Sequence, residues 1–299
     1  MTTKQLSWLW TALVTPFKEW DWIDNEIDYV ALDRLLNMQI DAEVDWVLLL
    51  WTTWERPTLT EQEEIELIKF SINILKWKTK IMVNAGTYST LDNIKTIKYL
   101  NNIEDIDWYL LVNPYYNKPT QTGLKKHFII SAKQTDRAVI LYNIKWRTGV
   151  NLETNTLLDI ISECPNVVWV KEASWDLNQI KDVIDRTPEN FLVFSWDDSL
   201  TYDLIKFWWN WVISVASNSI PTEMKEFVDL CLINDTKAKE INEKHSEFFD
   251  KIFIQTNPLP TKTLLASKWI IKEEFRLPMC RMDEKEKKEF LDFIKENKY

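Results

Sequence analysis

A chain of 299 residues with three glycines and seventeen tryptophans lacks the residue that lets a backbone turn left-handed or pass close to another backbone. An ordinary globular chain of this length carries roughly 20 glycines, about 7%. Here glycine and tryptophan taken together reach that number. The tryptophans also stand in contexts that read as turns: after Asp in Asp21-Trp22, Asp45-Trp46 and Asp107-Trp108, around the threonines in Trp51-Thr52-Thr53-Trp54, and in Ser174-Trp175, Ser195-Trp196 and Trp208-Trp209-Asn210-Trp211. An indole cannot do what glycine does at such positions. The pattern implies a gene in which UGA specifies glycine and has been written out as tryptophan. The other reading is a protein that is truly rich in tryptophan, such as a sugar binder with stacking platforms, although platforms have no reason to follow turns.

Hydrophobic residues at 45% and charged residues at 27% describe a soluble globular chain with ample core. A net charge of −10 and a pI near 5.0 argue against nucleic acid as a partner, because no basic stripe is available to neutralise phosphates. No uncharged apolar run approaches the roughly 18 residues that cross a bilayer, and the first residues lack the charged and apolar regions of a leader. No membrane partner is expected. Cys164, Cys231 and Cys280 are odd in number and widely spaced, as in a reduced, cytoplasmic protein. His127 and His245 lie in Lys- and Glu-rich helical stretches and read as solvated. With no His/Cys cluster, no metal is expected.

Short runs that are apolar on both parities recur at Leu9–Val14, Val47–Leu50, Ile81–Ala85, Tyr109–Val112, Ala138–Tyr142, Val167–Val170, Leu192–Phe194 and Val212–Val215. Strands buried on both faces have this character. Polar, helix-period segments separate them. In one, Thr60 and Glu63 form a capping-box signature, and Ile65, Ile68, Ile72 and Leu75 mark one buried face. Alternation of this kind predicts an α/β fold, a (β/α)8 TIM barrel over residues 1–221, in preference to a doubly wound sheet. Past Pro221 the strand signals stop. Segments near Thr222–Asn234, Thr236–Ile254, Thr261–Ile271 and Asp283–Asn297 predict a C-terminal helical appendage over residues 222–299.

In such barrels, chemistry collects where strands end. Those positions hold Thr52 and Thr53 after the second strand and Tyr115 and Tyr116 after the fourth. Tyr142 ends the fifth, Arg147 follows it, and Lys171 ends the sixth. A lysine desolvated at a barrel mouth keeps some neutral amine, which attacks ketones to give a Schiff base. Phenol and hydroxyl groups can relay the protons that step requires, and a guanidinium offers a two-pronged site for a carboxylate. Each residue also has a plainer role: a surface lysine, rim aromatics, turn threonines, a surface ion pair.

The segments TALVTPF, WTTWE, VNPYYNKPTQTGL, LYNIKWRTGVN, VVWVKEAS, SWDDSL, VISVASN and NPLPTK, in this order and spacing, resemble the dihydrodipicolinate synthase / N-acetylneuraminate lyase family of class I aldolase barrels along essentially the whole chain. With glycine restored, every tryptophan falls where that pattern has or accepts glycine. The resemblance implies that Lys171 forms an imine with pyruvate, with no cofactor besides this covalent link. It makes Tyr142 the general acid/base and gives Thr52 and Tyr116 the rest of a proton relay, the tyrosine at the Tyr116 position entering a neighbouring subunit's site. Thr53, with backbone near Ile213, would hold the pyruvate carboxylate, and Arg147 the carboxylate of the second substrate. The TTWE and RTG versions of the motifs favour aspartate 4-semialdehyde as that substrate, giving 4-hydroxy-tetrahydrodipicolinate for lysine and diaminopimelate synthesis. A 2-keto-3-deoxy-sugar-acid aldolase or an N-acetylneuraminate lyase-like enzyme is the alternative, and an inactive member a further one. The resemblance also implies a homotetramer, a dimer of dimers, or a homodimer. The loop Gly86–Thr90 is shorter than the family's usual stretch, Lys145 stands where proline is common, and Arg56 and Glu61 are unlike lysine-regulated members. Feedback inhibition by lysine is therefore expected to be weak or absent.

Overall fold

Apolar runs bounded by turn residues become strands, and the polar segments between them become helices. The computed structural model describes residues 8–19, 23–194, 198–206 and 211–299. The strands are β1 (Trp8–Ala12), β2 (Trp46–Leu49), β3 (Lys80–Asn84), β4 (Trp108–Val112), β5 (Ala138–Asn143), β6 (Val167–Glu172), β7 (Leu192–Phe194) and β8 (Trp211–Ser214). The predicted runs fall on them with ends shifted by one or two residues. The sheet order is β7-β6-β5-β4-β3-β2-β1-β8. Each strand lies beside its sequence neighbour and β8 returns beside β1, the circular order of a (β/α)8 barrel. A doubly wound sheet would reverse direction part-way, and this one does not.

The chain forms two compact units, Met1–Lys80 with Asp197–Tyr299, and Ile81–Trp196. The first holds α1 (Tyr29–Asp41) and α2 (Glu61–Leu75) from its N-terminal part. The capping box of α2 is complete: Thr60 Oγ1 accepts from the Glu63 amide, and the Glu63 carboxylate accepts from the Thr60 amide at 2.9 Å. Ile68, Ile72 and Leu75 are buried as predicted, while Ile65 stays partly exposed and Leu67 takes the inner position. The same unit contains α8 (Thr201–Lys206), α9 (Pro221–Leu232), α10 (Thr236–Lys251), α11 (Leu259–Ser267) and α12 (Glu284–Glu296). Phe227, Phe248, Phe249 and Phe290 from these helices share one core with Leu9 of β1 and Val212 of β8. The packing therefore runs on across residue 221, where α9 starts.

In the second unit α3 (Thr90–Leu100), α4 (Gln121–Ala132), α5 (Lys145–Thr148), α6 (Thr154–Glu163) and α7 (Leu177–Arg186) alternate with β3 to β7. Leu124 and Phe128 of α4 and Leu157 and Ile160 of α6 supply its buried helical faces. Among the described residues, no helix is long and apolar enough to cross a membrane.

The two histidines are buried, contrary to the solvated expectation. His127 sits between Thr90 Oγ1 at 2.8 Å and Asn93 Nδ2 at 3.0 Å. His245 Nδ1 meets the Tyr299 hydroxyl at 2.8 Å. A polar ring with both edges supplied can enter a core that composition alone would deny it.

The described tryptophans stand in several kinds of position. Trp77, Trp175 and Trp269 occupy the left-handed region at φ 68°, 63° and 60°, at 90%, 61% and 87% exposure. Trp10, Trp46, Trp108 and Trp169 lie within strands rather than in turns; there Trp10 stacks on its register partner Trp46 with centroids 4.3 Å apart. Trp54 is wholly buried and its Nε1 donates to the Leu48 carbonyl at 2.7 Å. Trp20, Trp22, Trp196, Trp208 and Trp209 fall outside the described residues.

Candidate active site

In the Ile81–Trp196 unit, the parallel register of β5 and β6 makes Tyr142 and Lys171 direct partners, followed by Asn143 and Glu172. Because successive side chains on a strand face opposite ways, this one pairing builds two layers. In one layer Lys171, at 3% exposure, sets its Nζ 4.6 Å from the centroid of the Tyr142 ring. Burial pushes the Tyr142 phenol well above its ordinary range; the Arg147 charge pulls it down and Glu172 pushes it up. The phenol therefore keeps its proton at neutral pH.

The other layer is a closed set of amides around a carboxylate. Glu172 accepts from Asn143 Nδ2 at 3.0 Å, from Gln179 Nε2 at 3.2 Å and from the Ser174 amide at 2.8 Å. Asn143 Oδ1 in turn accepts from Asn113 Nδ2 at 2.7 Å and from the Leu152 amide at 2.9 Å. Burial raises the Glu172 pKa, and the bonds from Asn143, Ser174 and Gln179 oppose it. These contacts fix the ends of β5 and β6, and hence the backbone that carries Tyr142 and Lys171.

Arg147 lies on the exposed one-turn helix α5, with its guanidinium 4.3 Å over the Trp146 ring. That helix ends at Gly149 with φ 73°. Tyr115, after β4, is partly buried and meets Tyr88 edge-on at 5.1 Å. Tyr116 stands 91% exposed in a left-handed turn at φ 73°. The unit thus brings Lys171, Tyr142 and Arg147 together and leaves Tyr116 on its surface.

In the other unit, Thr52 and Thr53 follow β2 in a single 3-10 turn, Thr52–Trp54. Thr53 is fully buried and Thr52 partly so. Three contacts pin this turn. Thr15 Oγ1 donates to the Trp54 carbonyl at 2.7 Å, Asn257 Nδ2 donates to Thr53 Oγ1 at 2.8 Å, and Lys262 Nζ of α11 pairs with Glu55 at 2.6 Å. Lys262 and Glu55 are both completely buried. Burial pushes Glu55 up and Lys262 down, and their mutual attraction opposes both shifts. The ammonium also lies 4.5 Å from the ring centroids of Phe17 and Phe275, which favour a cation on their faces. Ile213 is buried in β8 opposite Trp10. Just beyond it, Asp198 Oδ2 accepts from the Val215 and Ala216 amides at 3.0 and 3.1 Å.

The resemblance rested on the quoted segments and implied roles for this buried amine and phenol; whole-chain comparison bears on the family. Residues 5–297 match the dihydrodipicolinate synthetase family. The chain belongs to this family. It is 39% identical to the 4-hydroxy-tetrahydrodipicolinate synthase of Hydrogenobaculum sp. over 273 residues, covering 91% of this chain and 92% of that one. The corresponding protein of Aquifex aeolicus is 36% identical, with 95% of each chain covered. The crystal structure of dihydrodipicolinate synthase from Aquifex aeolicus matches with a TM-score of 0.92 at 35% identity, covering 98% of each chain. A monomeric dihydrodipicolinate synthase variant matches at 0.91 and 34% identity, covering 98% of this chain and 97% of that one. The barrel order seen here is thus that of dihydrodipicolinate synthetase family members.

Sequence reasoning missed Asn257, Glu55, Lys262, Glu172 and Asn143. A signal was present for all five, since Glu55, Asn143, Glu172, Asn257 and Lys262 lie inside the quoted segments WTTWE, LYNIKWRTGVN, VVWVKEAS and NPLPTK.

Proposed function

We propose that this chain is a lyase that condenses pyruvate with aspartate 4-semialdehyde to 4-hydroxy-tetrahydrodipicolinate, through an imine on Lys171 and without a bound cofactor. The observation that carries the proposal is the buried Lys171 amine held against the Tyr142 phenol by the β5–β6 register, in a member of the dihydrodipicolinate synthetase family. Lys171 Nζ attacks the keto carbon of pyruvate, and the resulting hydroxyl leaves as water after taking a proton from Tyr142. Loss of a methyl proton from the imine gives an enamine. Its carbon attacks the aldehyde, whose oxygen takes up a proton. The amine of the second substrate then adds to the imine carbon, displaces Lys171 and closes the ring.

Thr52 and Tyr116 pass protons between Tyr142 and water, Thr53 with the backbone at Ile213 holds the pyruvate carboxylate, and Arg147 holds the carboxylate of the aldehyde. The exposure of Tyr116 supports association into a homodimer or a tetramer of two dimers, since a ring that completes a partner's site must leave its own chain. The three cysteines are free thiols, in keeping with a cytoplasmic enzyme. Borohydride reduction with pyruvate is expected to add a pyruvate-derived group at Lys171, and Lys171→Ala to abolish it. A parent that is not labelled, or a variant labelled equally, sinks the mechanism. A coupled assay that turns over 2-keto-3-deoxy sugar acids and leaves aspartate 4-semialdehyde untouched would reassign the second substrate.

A further inference from the structure

We infer that Asn257 is a positioning residue that turns the Thr53 hydroxyl so that its proton faces the substrate carboxylate. The inference rests on the assignment of Thr53 to the carboxylate of the keto acid. A threonine hydroxyl has one proton and two lone pairs, so what it donates to depends on what already donates to it. Asn257 Nδ2 donates to Thr53 Oγ1 at 2.8 Å and so occupies one lone pair. Among the described residues, no acceptor takes the Thr53 proton. Both side chains are buried, Asn257 at 8% exposure and Thr53 at none, so water does not compete freely for either. Asn257 Oδ1 is itself buried without a hydrogen-bond partner, so this amide is engaged through its nitrogen alone.

The surroundings hold Asn257 in place. Two residues on, α11 begins, and one turn into it Lys262 is tied to Glu55 at the end of the Thr52–Trp54 turn. Donor and acceptor are therefore anchored on two elements that are themselves bonded to each other. A buried polar group with one fixed partner costs free energy unless a ligand uses what remains of it. An anion accepting from Thr53 is the complement of this arrangement.

The test compares Asn257→Ala with Asn257→Asp. In Asn257→Ala the hydroxyl is free to rotate, and the KM for pyruvate should rise about five- to tenfold with kcat and the KM of the aldehyde little changed. Asn257→Asp presents only acceptor oxygens, draws the Thr53 proton to itself and adds a negative charge, so its loss should exceed that of the alanine variant. Borohydride trapping with methyl pyruvate, an uncharged ester, supplies the readout that a purely structural role would not move. Preference for acid over ester should shrink in both variants. An unchanged pyruvate KM, an aspartate variant better than the alanine one, or equal losses for acid and ester would each overturn the inference. The unsubstituted enzyme reports on the reaction separately: trapping of pyruvate at Lys171 with no product from the aldehyde would refute the condensation and leave the Asn257 comparison standing.

Discussion

Glycine at positions 77, 175 and 269 is expected to stabilise the tryptophan-bearing chain. At φ 68°, 63° and 60°, the β-carbon of a side chain crowds the following carbonyl, at a cost of about 1–2 kcal/mol per residue. Glycine removes that cost but surrenders about 0.5–1 kcal/mol through the greater freedom of its unfolded state, leaving a net gain of about 1 kcal/mol per site. Little apolar burial is lost, because all three indoles are largely in solvent. The sites follow α2, β6 and α11, so their effects should add to about 3 kcal/mol, a sizeable part of a total stability of roughly 5–15 kcal/mol. The triple variant should melt about 6–10 °C higher by calorimetry. An unchanged or lower Tm would refute the backbone argument. The codon proposal has its own assay. Protein taken from its native source should have an intact mass well below 35.8 kDa and almost no indole fluorescence, and a mass matching that value would end the proposal.

Lys262→Met leaves the Glu55 carboxylate buried without its cation and should cost about 3–5 kcal/mol in guanidinium titrations, with most of the loss recovered by adding Glu55→Gln; a single variant as stable as the parent would show that the pair contributes nothing. His127 is held neutral by burial, its pKa pulled down from 6.5 to about 4. Its contribution is present above pH 6.5 and is lost as pH falls toward 4, because the unfolded ring then binds a proton the folded one refuses; His127→Gln should flatten that part of the stability curve, and an identical slope would contradict this. Gly86→Ala would bring a β-carbon to 2.5 Å from the Val112 amide nitrogen and 2.9 Å from the Leu111 α-carbon, both backbone atoms that cannot step aside. A loss of about 1–3 kcal/mol is expected on thermal unfolding, and a neutral result would mean that β3 and β4 can separate at no cost.

What could be read from the sequence was whatever is written locally. Doubly apolar runs located all eight strands, the Thr60–Glu63 spacing announced the start of α2, and the strand ends placed Tyr142 and Lys171 where β5 and β6 set them side by side. What escaped depends on partners far apart in the chain. Glu55 and Lys262 look like surface charges until they meet across 207 residues, and His127 looks solvated until Asn93 and Thr90 take both of its nitrogens. The tautomer follows from the same contacts. Asn93 Oδ1 accepts from the Thr87 amide at 2.7 Å, so its nitrogen donates to His127 Nε2, which leaves the proton on Nδ1 facing Thr90. Periodicity carries no trace of such pairings.

The ties on the Thr52–Trp54 turn also say something about the order of assembly. Its partners Asn257 and Lys262 follow it by 204 and 207 residues, and Arg276, whose amide reaches Glu55 at 3.4 Å, by 221. A ribosome has emitted most of the protein before any of them emerges. The ties on this turn should then be a late event in maturation, arriving well after the nearby strands have formed, since contacts this remote close slowly. Nascent chains stalled upstream of Asn257 should be folded enough to resist proteases in part, yet lack the bonds that hold the Thr52–Trp54 turn.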